Sequence, residues 1–174
     1  MKEKPSLWRR LLRGLGTLAL ALVIITAVDI YRWPDSRGLQ ALPLVTTDGA
    51  PLDLQHTERP VFLYFWATWC GICRHTTPQI AALQARGYPV VSVALHSGSE
   101  AAVAAYLAQH GWSLPVVNDA DGRLAAAFGI VATPTVIAIV ENGQIRLATS
   151  GWSSSWGLRL RYAMLPLVRA VRGD

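Results

Sequence analysis

The chain has 174 residues, a formal net charge of +5 and two cysteines. That length holds one domain plus an appendage. Residues 1–33 carry a net +4 and residues 34–174, with ten arginines against nine acids, only +1. A nucleic-acid-binding domain needs a basic face of its own, so no nucleic-acid partner is expected. The basic segment opens the chain. Residues 14–28, GLGTLALALVIITAV, are free of charge, with Leu11, Leu12, Ile30 and Tyr31 extending the run toward the length of a membrane span. Trp8 stands before it and Tyr31 and Trp33 after it, as interfacial aromatics do. Five basic residues precede the run, which places the N-terminus in the cytoplasm and the rest outside. A cleaved signal peptide is the alternative, but Ala27 has Ile25 two positions before it and no small-x-small pair follows the core cleanly. Both readings export the domain. The expected organisation is a basic flank and transmembrane helix over 1–33, a linker over 34–40 and one domain over 41–174.

The domain opens with LPLVTTDGAPLDL, whose Asp48-Gly49 pair predicts a turn between two short extended runs. RPVFLYFWA follows as a continuous apolar run, the mark of a strand buried on both faces. The two cysteines come next in WATWCGIC, residues 66–73. A helix is expected after them, with Pro78 inside it and Gly87 as its stop. YPVVSVALHS predicts a second strand. A second helix runs from Ser99 as N-cap to Gly111. LPVVND predicts a third strand and DGRLAAAFG a short helix. TPTVIAIVENGQIRLATSG reads as two strands joined by Asn142-Gly143. The last segment predicts a helix carrying Leu160, Met164, Leu167 and Val171 on one face, with Pro166 interrupting it. This alternation implies an α/β sandwich with a mixed central sheet.

Outside the cytoplasm thiols are readily oxidised, yet a two-residue spacing closes too small a loop to restrict the unfolded chain much. A Cys-x-x-Cys pair where a strand feeds a helix instead suits redox chemistry. Cys70 falls at the helix start, where unpaired N–H groups and the helix dipole favour a thiolate. Cys73, one turn later and more buried, is placed to attack a mixed disulfide formed at Cys70. The same residues admit a second class of function. Cys70, Cys73 and one histidine could hold a soft ion such as Cu(I), as a copper-binding or delivery module. Zinc wants four ligands, and only one Cys pair exists.

FWATWCGIC resembles the active-site signature of the thioredoxin superfamily. Trp66 and Trp69 match the tryptophans before the motif, Pro78 matches the proline in its helix, and ATPTVIAI resembles the cis-proline loop, with Pro134 as that proline and Thr133 before it. The helix–strand insertion and the N-terminal anchor are similar to the TlpA-like branch of membrane-tethered bacterial proteins, nearest to the thioredoxin-like proteins of copper-sensitivity-suppressor systems. The resemblance covers roughly residues 40–174. It implies a single-pass protein of the bacterial inner membrane with its domain in the periplasm, exchanging electrons between protein thiols or disulfides and a membrane donor or acceptor, with no cofactor beyond the Cys70–Cys73 pair. It assigns Cys70 as nucleophile and Cys73 as resolving thiol. Trp66, Trp69, Gly71, Ile72, Thr133 and Pro134 then support the site and the substrate groove, and no metal is expected.

Departures from the pattern bear on redox poise. Tyr64 stands where many thioredoxins have Asp, Thr76 where TlpA-like proteins often have Glu, Ala132 where Gly is common, and Gly71-Ile72 between the cysteines. These point to a middling potential, and the resemblance to TlpA-like proteins, which mostly receive electrons through the membrane, implies the reducing half. Trp66 is expected in the core and Trp69 at the surface. His75 reads as a solvated helix residue or as an imidazole that stabilises the thiolate or shuttles a proton. Arg74 has the same two readings with more weight on a surface charge, and His56, His96 and His110 are expected to be incidental.

Overall fold

The computed structural model describes residues 44–140 and 143–172, together with Gly16, Thr17, Leu20, Val23 and Pro34. The chain divides into two units, Met1–Trp33 and Pro34–Asp174. Within the expected membrane span, Gly16, Thr17, Leu20 and Val23 are helical and exposed. The rest of that span, and the linker beyond Pro34, lie outside the described residues. Among the described residues, no helix is long and apolar enough to cross a membrane.

The expected first hairpin is a two-stranded sheet of β1 (Leu44–Val45) and β2 (Pro51–Leu52), paired antiparallel. The central sheet has five strands in the order β5-β4-β3-β6-β7: β3 (Val61–Trp66), β4 (Val90–Leu95), β5 (Val116–Asp119), β6 (Thr135–Val140) and β7 (Gln144–Ser150). Strands β3, β4 and β5 are parallel, whereas β6 is antiparallel to β3 and to β7. Four helices connect or follow them: α1 (Cys73–Gln84), α2 (Glu100–Gln109), α3 (Arg123–Ala127) and α4 (Ser155–Arg172).

Strand β3 lies in the middle of the sheet, and its alternate residues feed two cores. Phe62, Tyr64 and Trp66 pack with Ile80 and Leu83 of α1, Val103 and Leu107 of α2, and Leu158 and Leu165 of α4. Leu63 and Phe65 pack on the other face with Leu124, Ala125 and Phe128, and with Leu44 and Leu54 of the N-terminal segment. A strand buried on both faces needs no polar side, which is why the run reads as uninterruptedly apolar. Two parallel crossovers that step in one direction across the sheet, β3-α1-β4 and β4-α2-β5, put both helices on the same face. The cysteines therefore emerge from the most buried strand at its C-terminal end.

Helix α2 starts where expected, with the Ser99 hydroxyl accepting from Ala102 N–H. Helix α4 corrects the sequence reading. It runs through Pro166 without interruption. A proline removes one intrahelical bond, but Leu158 and Leu165 anchor the helix to the core on either side of the midpoint. Its inward residues are Leu158, Tyr162 and Leu165, while Leu160 and Met164 of the stripe singled out in the sequence face outward.

Candidate active site

Helix α1 begins at Cys73, and the turn before it is already closed by Cys73 N–H donating to Cys70 O at 3.1 Å. The same N–H approaches Cys70 Sγ at 3.2 Å. The sulfur thus lies against the N–H that opens the helix. A first-turn N–H directed at sulfur favours the thiolate once the pair is reduced. Cys70 and Cys73 form a disulfide. Cys73 is 1% exposed and Cys70 6%, so Cys70 is the sulfur nearer the surface.

Strand β6 brings up the second side of the site. The Thr133–Pro134 peptide bond is cis, and Thr133 O lies 3.6 Å from Cys70 Sγ. In the reduced state the Cys70 S–H can donate to that carbonyl. Two bonds fasten this loop to the sheet. Thr135 Oγ1 donates to Ala132 O and Gly151 N–H donates to Pro134 O, each at 2.8 Å. Since Thr135 spends its only proton on Ala132, the Ser150 hydroxyl donates to Thr135 Oγ1.

The remaining expected residues divide by burial. Trp66 is fully buried, 5.7 Å from the ring of Tyr106. Trp69 is 61% exposed, and its indole N–H donates to His96 O at 3.1 Å. Gly71, Ile72, Arg74 and His75 are exposed. Trp69, Ile72 and Val131 thus present apolar side chains to solvent from the segments on either side of the disulfide.

Tyr64 and Thr76, at the positions of the missing acids, are buried. Thr77 Oγ1 donates to Cys73 O at 2.7 Å, so the Tyr64 hydroxyl is the donor in its 2.9 Å bond to Thr77. Burial pushes the Tyr64 phenol up from its ordinary range, and Tyr64 stays neutral. Tyr64→Phe removes a donor but leaves Thr77 bonded, costing about 1 kcal/mol. Thr77→Val strands the buried hydroxyl and should cost more, about 2 kcal/mol. Urea denaturation of the two variants checks that order.

Sequence reasoning missed the loop after β4. His96 is not incidental. It has a positive φ of 45°, its carbonyl holds Trp69, and its ring Nδ1 lies 3.0 Å from Ala120 O. Its ring also occupies the space where a Cβ on Gly122 would fall, only 2.6 Å away, and Gly122 itself has a φ of +76°. The neighbouring Ser97 hydroxyl accepts from Thr68 N–H at 3.0 Å. These bonds span 24 to 29 residues, and no local pattern announces them. His110 stacks between Tyr106 and Trp112, with ring centroids 4.4 and 4.5 Å away. His56 pairs with Asp53 in an exposed turn. Among the described residues, no three His, Cys, Asp or Glu side chains cluster closely enough to hold a metal ion.

A paired Cys-x-x-Cys at the mouth of a helix, faced by a cis-proline loop on a mixed sheet, defines a thioredoxin-like redox site. The Redoxin family matches residues 30–154, and the chain belongs to that family. The chain is 38% identical over 157 residues to a thioredoxin-like protein of Haemophilus influenzae, covering 88% of this chain and 93% of the relative. It is 30% identical over 163 residues to the thiol-disulfide oxidoreductase ResA of Bacillus subtilis, covering 87% and 88%. Among solved structures, StoA from Bacillus subtilis superposes with a TM-score of 0.62 at 22% identity, covering 68% of this chain and 93% of that one, a likeness of fold.

Proposed function

We propose that this protein is an exported, membrane-tethered thiol–disulfide oxidoreductase that reduces protein disulfides through Cys70 and Cys73. The observation that carries the exchange chemistry is the seating of Cys70 Sγ between a helix first-turn N–H and the Thr133 carbonyl, with Cys73 buried behind it. The relative named as the thiol-disulfide oxidoreductase ResA supports the same chemistry. The Cys70 thiolate attacks one sulfur of the client disulfide, and the other client sulfur leaves as a thiolate. Cys73 then attacks Cys70 Sγ, closing the Cys70–Cys73 disulfide and expelling the second client sulfur. Two electrons and two protons pass to the client. A membrane donor must return them before the next cycle. The exposed apolar rim and the fastened loop at Thr133 suit an extended peptide, whose backbone can pair with the loop.

The tether and the export rest on the basic flank and apolar run of residues 1–33. The reducing direction rests on resemblance to tethered domains that receive electrons through the membrane. One experiment tests both. In cells carrying the full chain fused at Asp174 to alkaline phosphatase, the phosphatase should be active and acid-quenched alkylation should find Cys70 and Cys73 mostly reduced. An inactive phosphatase would overturn export. A mostly oxidised pair would make the protein an oxidase.

A further inference from the structure

Helix α4 carries two apolar faces, and the core uses one. Leu158, Tyr162 and Leu165 pack inward. Trp156, Leu160 and Met164, each four residues from the next and so on one stripe, are 68, 48 and 46% exposed. At about 100° per residue, Arg159 and Arg161 flank Leu160 on either side of this stripe, and both are exposed. Arg161 Nη1 also donates to Thr149 Oγ1 at 3.2 Å, which holds one edge of its guanidinium beside β7. Residues 155–172 hold four arginines and no acid.

An outward apolar stripe containing tryptophan and bordered by arginines is the pattern of a helix that lies in a lipid interface. The apolar side chains enter the acyl boundary, and the guanidinium groups stay at the level of the phosphates. Charge decides among occupants. A second copy would bring its own acid-free, arginine-flanked stripe against this one, like charge against like. A surface of anionic headgroups neutralises the arginines. We propose that the outward face of α4 docks on an anionic lipid bilayer. The proposal goes beyond the exchange reaction and uses none of its residues. Trp152, 64% exposed, precedes the helix directly after Gly151, whose N–H is bonded to Pro134 O. The N-terminal end of the docking face thus lies beside the cis-proline loop.

The test uses the full chain with Cys70–Cys73 closed and Met164→Cys carrying an environment-sensitive fluorophore. The protein is reconstituted in vesicles of phosphatidylcholine alone or mixed with phosphatidylglycerol. A second label at Ala101→Cys, exposed on α2, reports on bilayer contact in general. The Met164→Cys label should shift to the blue in the anionic vesicles only, and the Ala101→Cys label should not shift. Arg159→Gln with Arg161→Gln should weaken the docked population by about 20-fold. An unshifted Met164→Cys label in anionic vesicles would overturn the proposal and leave the face to a protein partner. So would a shift that grows with protein density in phosphatidylcholine alone, which would mark a second copy. Equal shifts at both labels would show no preferred face and would also overturn it.

Discussion

Replacing Cys73 with alanine should turn a catalyst into a trap. Cys70 keeps its place nearer the surface, its first-turn N–H and its neighbouring carbonyl, so it still attacks a client disulfide. Without the second sulfur the mixed disulfide cannot resolve, and turnover falls to the uncatalysed background. Mass spectrometry of the captured adducts should find clients joined through Cys70. The reciprocal variant, Cys70→Ala, should lose turnover and capture little, because Cys73 is 1% exposed and a client sulfur cannot reach it in line. Equal capture by both variants would remove the distinction between attacking and resolving sulfur.

Asp119→Ala should cost about 3 kcal/mol, the largest loss of stability expected from a single polar substitution here. Asp119 is buried at the end of β5. Its Oδ1 accepts from Leu124 N–H at 3.0 Å and its Oδ2 from Ala125 N–H at 2.8 Å, so one side chain serves two first-turn donors of α3. Alanine leaves both donors unpaired beneath Phe128 and Leu124. For a domain of this size the melting temperature should fall by about 10 °C. The damage should also reach the active site. Asp119 O accepts from His96 N–H at 3.0 Å, and His96 O holds the Trp69 indole. Trp69 should therefore become more mobile, and client exchange should slow even below the melting transition. Thermal unfolding alongside a disulfide-reduction assay at 25 °C separates the two effects. A loss of stability with unchanged exchange would show that His96 does not transmit it.

The sequence made the sheet legible because its strands are apolar along most of their buried length, with Ser92, Asp119 and Thr135 as buried polar exceptions. Phe62 to Trp66 has no charged residue and only the Tyr64 hydroxyl as a polar side-chain group with a hydrogen bond, and the strand has no solvent face. The cysteine spacing was equally legible, since about one turn separates the two residues and puts Cys70 just ahead of the helix that Cys73 opens. What stayed hidden were contacts between segments far apart in the chain. His96 looks like any loop histidine until Trp69, Ala120 and Gly122 close around it. Helix α4 departs from its sequence reading only at Pro166, which does not interrupt it. Apolar residues at helical spacing mark a face but not which side is buried, and this helix has two such faces. Leu158, Tyr162 and Leu165 were taken by the core, leaving the stripe of Leu160 and Met164 outside.

The central claim is that Cys70–Cys73 is a working redox couple and not a structural staple. Equilibrating the full chain in graded glutathione or dithiothreitol buffers, with alkylation to count free thiols, measures its potential directly. The buried groups at the two acid positions are the Tyr64 and Thr76 hydroxyls, which repel no thiolate, and the Cys73 N–H supports one at Cys70. Between the sulfurs, Ile72 adds no further donor. The account predicts a single two-electron transition between about −270 and about −120 mV, the span from thioredoxin to the strong oxidant DsbA. A potential below about −300 mV, the range of structural disulfides in secreted proteins, would contradict it.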